Sequence, residues 1–344
     1  MARVTLVIGG TRNLGPDLVD ALVRRGDLVA VLNRGLTPSA PRSDVERLTA
    51  DRSDEGALAT ALQGRRFDLV VDTTLMNGAD ARALVRVLEG RIGRYVWWST
   101  GQVYLVRTGP ARPFRETDYD GPLMPPPPPS RADDLRNWRY GMDKRAAENV
   151  LLEAHAAHGF PAVSLRMPMI NSERDHHGRI AGYAHRLAGG GPLLIADDTL
   201  PLRHVYGGDV VAATMRAAEP DVPAGGAWNI GQDETISLET MLHLVAAATA
   251  KVMGLADSPS PRVLRLPRAT LERHGLLPAC SPFSDRWMSA LDNARGKAAL
   301  GMTYRPPADY VARVVEAAIA IPPDRVPGLA QRPQELALAG ELRR

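Results

Sequence analysis

Tyr140 and Lys144 stand four residues apart in a stretch whose periodicity predicts a helix from Trp138 to His158, stopped by Gly159. Side chains at i and i+4 emerge on one face of a helix. An ammonium beside a phenol favours the phenolate and draws a tyrosine down from its reference pKa of about 10. A tyrosine so tuned can give a proton to a carbonyl oxygen or take one from an alcohol near neutral pH. A second constellation lies near the amino terminus. Gly9, Gly10 and Gly15 separate the apolar, β-branched run Val4 to Ile8 from an amphipathic run through Arg25. Strand, glycine turn and helix open a dinucleotide-binding unit. The turn lets a pyrophosphate approach the backbone, and the helix N-terminus offers free N–H groups and a positive dipole end. The pattern G-x-x-G-x-x-G calls for glycine at position 12, where this chain has Arg12.

A second strand, Leu28 to Leu32, is followed by Asn33-Arg34-Gly35. At this point a dinucleotide fold reads the adenosine ribose. A carboxylate accepts from the 2′-hydroxyl of NAD, whereas arginine pairs with the 2′-phosphate of NADP. Arg34, with Arg12 in the turn, therefore predicts NADP over NAD.

The elements that must position these groups alternate. Strands are predicted at Arg47 to Ala50, Phe67 to Val71 and Arg94 to Trp98, and helices at Glu55 to Leu62 and Ala79 to Leu88. Strands separated by helices of about ten residues demand parallel pairing and right-handed crossovers. The fold class is α/β, a doubly wound parallel sheet with ligands at the strand C-terminal ends. Residues 107 to 134 are irregular and include Pro125 to Pro129, a polyproline II run, expected as a lid or substrate-side wall or as a solvated linker. A strand at Pro161 to Leu165 follows the Tyr140 helix. Shorter elements come next, including a helix at Asp285 to Leu300. The expected division is a dinucleotide-binding domain over 1–171, a mainly substrate-binding region over 172–322 and a polar tail over 323–344.

Composition narrows the function. The chain has 344 residues and a net charge of +3, and its only lysines are Lys144, Lys251 and Lys297. No dense basic run supports nucleic-acid binding. No stretch reaches 18 uninterrupted apolar residues, so no membrane span is expected. With a strand at the very start no signal peptide is expected, and the single Cys280 suits a cytoplasmic protein. His176-His177 has no third ligand nearby, so no metal site is expected.

The motifs GGTRNLG, STGQVY and YGMDK, with Glu148 beyond, resemble an extended or atypical short-chain dehydrogenase/reductase of the NAD(P)-dependent epimerase/dehydratase superfamily. LRMPMI at 165–170, RHVYGGDVV at 203–211, WNIG at 228–231 and the late LDNARGKAALGMTYRP extend the resemblance over about residues 4 to 318. It implies a catalytic set of Thr100, Tyr140 and Lys144. Thr100 would hydrogen-bond the reacting oxygen, and Lys144 would hold the nicotinamide ribose. Gly9, Thr11, Arg12, Asn13 and Leu14 would line the pyrophosphate turn, with Asn33 and Arg34 at the 2′-phosphate. Asp51 and Arg52 would lie at the adenine side, and Thr73, Thr74 and Met167 under the cofactor. Gln102, Asn171 and Arg203 would face substrate, although Asn171 departs from the usual pattern at its strand end. Pairing of the Tyr140 helix into a homodimer is also implied. The expected activity is NADP(H)-dependent reduction or epimerisation of a ketone or secondary alcohol, on a nucleotide sugar or specialised metabolite. The alternative is a non-catalytic NADP sensor or an RNA-binding member of the same fold, against which the complete Thr-Tyr-Lys set weighs. Where sugar dehydratases carry Asp-Glu after the catalytic threonine, this chain has Gly101-Gln102. A 4,6-dehydration is therefore not expected.

Overall fold

The computed structural model describes residues 2–37, 42–255 and 260–342. The chain divides into two compact units. The first comprises Met1–Pro168, Gly208–Gly231 and Leu291–Thr303, and the second Met169–Gly207, Gln232–Ala290 and Tyr304–Arg344.

In the first unit, β1 (Val4–Ile8), β2 (Leu28–Asn33), β3 (Val45–Thr49), β4 (Leu69–Asp72), β5 (Tyr95–Thr100) and β6 (Ala162–Met167) join Ala227–Asn229 in one seven-stranded sheet. Its order is Ala227–Asn229, β6, β5, β4, β1, β2, β3, and every pairing is parallel. The chain winds outward from β1 to β3, returns beside β1 with β4 and winds outward the other way. The switch point lies between β1 and β4, which is where a doubly wound sheet opens its ligand crevice. Strands buried on both faces carry near-continuous apolar runs, and β4 and β6 are buried along their whole length. Leu6, Ile8, Val70, Trp97 and Leu151 belong to the core beneath the sheet.

The crossover helices are α1 (Gly15–Arg25), α2 (Glu55–Ala61) and α3 (Gly78–Leu88); a short α4 (Gln102–Leu105) follows β5, and α5 (Ala132–His158) leads to β6. Helix α5 begins six residues before the expected Trp138. The proline run ends at Pro129, and Asp133 and Asp134 sit in the first turn, where carboxylates favour a helix start. It stops at Gly159, whose φ of 69° closes the C-cap.

In the second unit, Arg179–Ala188, Leu238–Val252 and Pro307–Ile319 pack around Tyr183, Met241, Leu242, Val311 and Val314. Ser237 caps the second of these helices by accepting from Thr240 N–H at 3.0 Å. The helix expected over Asp285 to Leu300 is confined to Ala294–Leu300. Upstream of it, Asp285 takes the Trp287 N–H at 2.8 Å, a local turn that competes with helix. The expected polar tail beyond Pro322 instead ends in a helix, Arg332–Glu341. Its Glu335 is fully buried and ion-paired with the equally buried Arg186 at 2.6 Å. Leu338 and Ala339 pack into a buried cluster with Leu194 and Leu271, and beside them the buried charge pair fixes the helix.

Candidate active site

The turn after β1 runs Gly9 (φ 100°), Gly10 (φ 76°) and Asn13 (φ 51°). Gly9 donates to Leu32 O at 2.9 Å, which ties the turn to β2. A Cβ on Gly9 would collide with Thr73 Oγ1, and one on Gly15 would lie 2.5 Å from the Gly10 carbonyl carbon. These contacts press β1, the β4 end and α1 together, and only glycine permits them. Position 12 has no left-handed backbone, so Arg12 is tolerated where the commoner pattern has glycine. Leu14 precedes α1 and no side chain caps the helix. A cradle closed to any Cβ and a helix N-terminus without a side-chain cap fit a dinucleotide pyrophosphate.

Around this turn, Thr73 Oγ1 donates to Ile8 O at 3.1 Å. Arg12 and Arg34 are exposed, with Arg12 Nε bonded to Thr37 Oγ1 at 3.1 Å. Asn33 Oδ1 accepts from Gly35 N–H at 2.8 Å. Asp51, also exposed, has its carboxyl pKa lowered by hydrogen bonds from Ser53 and then by the charge of Arg34. A carboxylate two residues beyond β3 thus feels the charge of Arg34. Arg52 makes two bonds to Asp72, at 2.7 and 2.8 Å, and a third to Thr74 Oγ1 at 3.1 Å. Asp72 is fully buried and also accepts from Tyr95 OH at 2.8 Å. Arg52 therefore braces the β4 end through a pair that sequence reasoning missed. No local signal links residues 52, 72 and 95.

Thr100 ends β5, and Tyr140 and Lys144 lie one turn apart on α5. The helix approaches closely at Gly141, where a Cβ would meet Val106 Cγ1 at 2.7 Å and Gln102 O at 2.8 Å. The Thr100 hydroxyl, which accepts from Gln102 N–H at 3.2 Å, also favours the Tyr140 phenolate. Lys144 is buried, and its Nζ donates to Leu75 O at 2.8 Å and Trp98 O at 3.0 Å, 4.6 Å from the Trp97 ring centroid. Burial pushes its pKa down to about 7, against the pull of Asp72. Burial likewise raises the Tyr140 pKa, with the Thr100 hydroxyl pulling it down. The expected lowering of Tyr140 by Lys144 is not found: burial raises it instead. The ammonium is spent on two main-chain carbonyls, and desolvation of the phenolate wins.

Gln102 lies beside Thr100: its N–H donates to Thr100 Oγ1 at 3.2 Å and its Nε2 to Asn137 Oδ1 at 3.4 Å. Met167 pairs with Thr100 across β5 and β6. Asn171 and Arg203 belong to the second unit. Asn171 is 1% exposed and its Nδ2 is bonded to His204 and Tyr310, so it sits in that unit's interior rather than at a surface. Arg203 donates to Asp233 O at 3.2 Å. Among the described residues there is no group of three or more metal-capable side chains, and no helix is long and apolar enough to cross a membrane.

The family model for the NAD dependent epimerase/dehydratase family matches residues 5–231. The chain is 28% identical over 199 residues to a 2'-dehydrokanamycin reductase of Streptomyces kanamyceticus, covering 56% of this chain and 51% of that protein. It is 30% identical over 115 residues to the chloroplast stem-loop binding protein of 41 kDa b of Arabidopsis thaliana, covering 29% and 30%. The chain thus spans about half the length of the first of these relatives and less of the second. Among solved structures, a UDP-glucose 4-epimerase of Thermotoga maritima with UDP-glucose superposes with a TM-score of 0.68, at 18% identity, over 91% of this chain and 98% of that one. At that identity the likeness concerns the fold.

Proposed function

The chain belongs to the NAD dependent epimerase/dehydratase family, and on that basis we propose that it is an NADP(H)-dependent reductase or epimerase acting at a ketone or secondary alcohol. The observation that carries this reading is the buried Lys144, one helical turn from Tyr140 on α5 and held at the β5 end by Trp98 O, two residues before Thr100. The nicotinamide cofactor supplies or accepts the hydride. Tyr140 moves the proton at the substrate oxygen, and Thr100 holds that oxygen by hydrogen bonding. Lys144 sits where two carbonyls already fix its ammonium, poised to donate to a ribose hydroxyl. Gly9 to Leu14 receive the pyrophosphate, and Arg12 and Arg34 the 2′-phosphate. Gln102 and Arg203 are the proposed substrate contacts. Pairing of α5 with its copy in a homodimer completes the reading, and native mass spectrometry of the protein reads subunit count and retained cofactor together.

Gly101 and Gln102 offer no acid or base for a water-eliminating step. Glu116, the carboxylate of the 107–134 stretch, accepts from Asn229 N–H at 2.9 Å and is committed there. Turnover of a panel of ketones and nucleotide hexoses with NADPH or NADP, followed by mass spectrometry, tests the whole reading. Products should keep the substrate's mass or differ by two hydrogens, and Tyr140→Phe should lose at least ~10²-fold in rate. A dehydrated product, or a Tyr140→Phe variant as fast as the wild type, overturns it. The non-catalytic alternative finds support only in the name of the stem-loop binding relative. An RNA gel shift with no redox turnover would favour it.

A further inference from the structure

Behind Thr100 lies a buried chain of polar groups that the proposed reaction does not use. Ser99 Oγ donates to Glu148 Oε2 at 2.9 Å. Arg166 Nε donates to Glu148 Oε1 at 2.9 Å, and a second nitrogen of the same guanidinium bonds that oxygen too. Arg166 Nη1 donates to Tyr104 OH at 2.7 Å, and Tyr104 OH donates to Asn229 Oδ1 at 2.7 Å. Asn229 Nδ2 donates to Phe114 O and Asp292 O, at 2.9 and 3.0 Å, and its N–H to Glu116. Burial raises the Tyr104 pKa and holds it protonated, so its hydroxyl accepts from Arg166 and passes its own proton on to Asn229, while Glu148 takes donors from both sides. Arg166 also lies 4.3 Å from the Tyr119 ring centroid.

Its members come from the elements that carry the proposed catalytic groups. Ser99 immediately precedes Thr100, and Tyr104 follows it by four residues on α4. Glu148 is one turn beyond Lys144 on α5, and Arg166 pairs with Ser99 in the β5–β6 register. A buried ion pair is poor value as a stabiliser, because apolar side chains of equal volume commonly hold a core as well. What such a pair supplies instead is direction, since its hydrogen bonds are satisfied in one arrangement. Placed at this junction, it sets the angle between the strand end and the helix.

We propose that Glu148 is a positioning residue: through Ser99, Arg166 and Tyr104 it holds the Ser99–Tyr104 corner, with Thr100 on it, in register with Tyr140 and Lys144 on its own helix. The same chain docks the Phe114–Tyr119 segment as a fixed wall. The purpose assigned to this geometry rests on the reading of Thr100, Tyr140 and Lys144 given above.

The test needs no substrate. With 3-fluorotyrosine at position 140, which lowers the phenol's pKa into the range a fold tolerates, ¹⁹F NMR follows its titration in the protein alone and with NADP⁺. Thr100→Val removes a hydroxyl that favours the phenolate and should raise the titration by about half a pH unit or more. Glu148→Gln keeps the shape of the side chain and should raise it in the same direction. Combining the two should add nothing further, because both act through Thr100. A folded Glu148→Gln with no shift, or with a shift that adds fully to that of Thr100→Val, overturns the proposal. Should Glu148→Gln not fold, Tyr104→Phe removes only the hydroxyl link and is judged by the same two outcomes. Turnover by Tyr140→Phe separately decides the functional reading, so the two can fail independently.

Discussion

Lys144 carries a stability signature of its own. Its pKa is pushed down to about 7 by burial, below the value of about 10.4 expected in the unfolded chain. For a base lowered in the folded state, the penalty for charging it is full below pH 7. It is relieved as pH rises from 7 towards 10.4. Wild type should therefore gain stability relative to Lys144→Met over that interval, by on the order of a few kcal/mol. Denaturant melts of both proteins at a series of pH values measure the difference, and a gap that does not change with pH would falsify the assignment. Arg34 is the second test at this scale. A charge-assisted contact to a 2′-phosphate contributes about 1.5–3 kcal/mol, so NADP should bind tenfold or more tighter than NAD, and Arg34→Ala should narrow the ratio. Asp51 feels the charge of Arg34. If Asp51 is what reads the ribose, titration will show NAD preferred and Arg34→Ala without effect.

At the scale of elements, what could be read from the sequence is what neighbouring residues encode. The alternation of β-branched strands and helices locates the crossovers, and Gly9, Gly10, Gly15 and Gly159 mark turns whose backbone or close contacts demand glycine. Tyr140 and Lys144 are legible because i, i+4 spacing is a local signal. The pairings of Arg52 with Asp72, Glu148 with Arg166 and Arg186 with Glu335 span 20, 18 and 149 residues. No periodicity announces them. The last of these pairs, with Leu338 and Ala339 buried beside it, holds the expected tail as a helix, and it makes a strong prediction. Glu335→Ala leaves the fully buried Arg186 without its carboxylate, a loss on the order of 3–5 kcal/mol. Thermal unfolding should register it as a large drop in midpoint, whereas Glu341→Ala at the exposed end of the same helix should leave it nearly unchanged.

The molecule as a whole is not two beads on a string. The unit built on the parallel sheet takes its last strand, Ala227–Asn229, from chain that emerges after 39 residues of the other unit, Met169–Gly207. On the ribosome, β6 must therefore wait with one edge unpaired and with Arg166 lacking the far end of its hydrogen-bond chain at Asn229. An open edge strand invites pairing with other chains. Synthesis time thus becomes a hazard that the final fold does not display. A chain released after Pro168 should self-associate, and one released after Thr303 should do so far less. Comparing the two by size-exclusion chromatography after cell-free translation would check this, and equal behaviour would mean that the edge is protected some other way. Any attempt to borrow the cofactor half of this protein for another use meets the same fact: no single cut through the polypeptide separates a complete sheet from the second unit's Met169–Gly207.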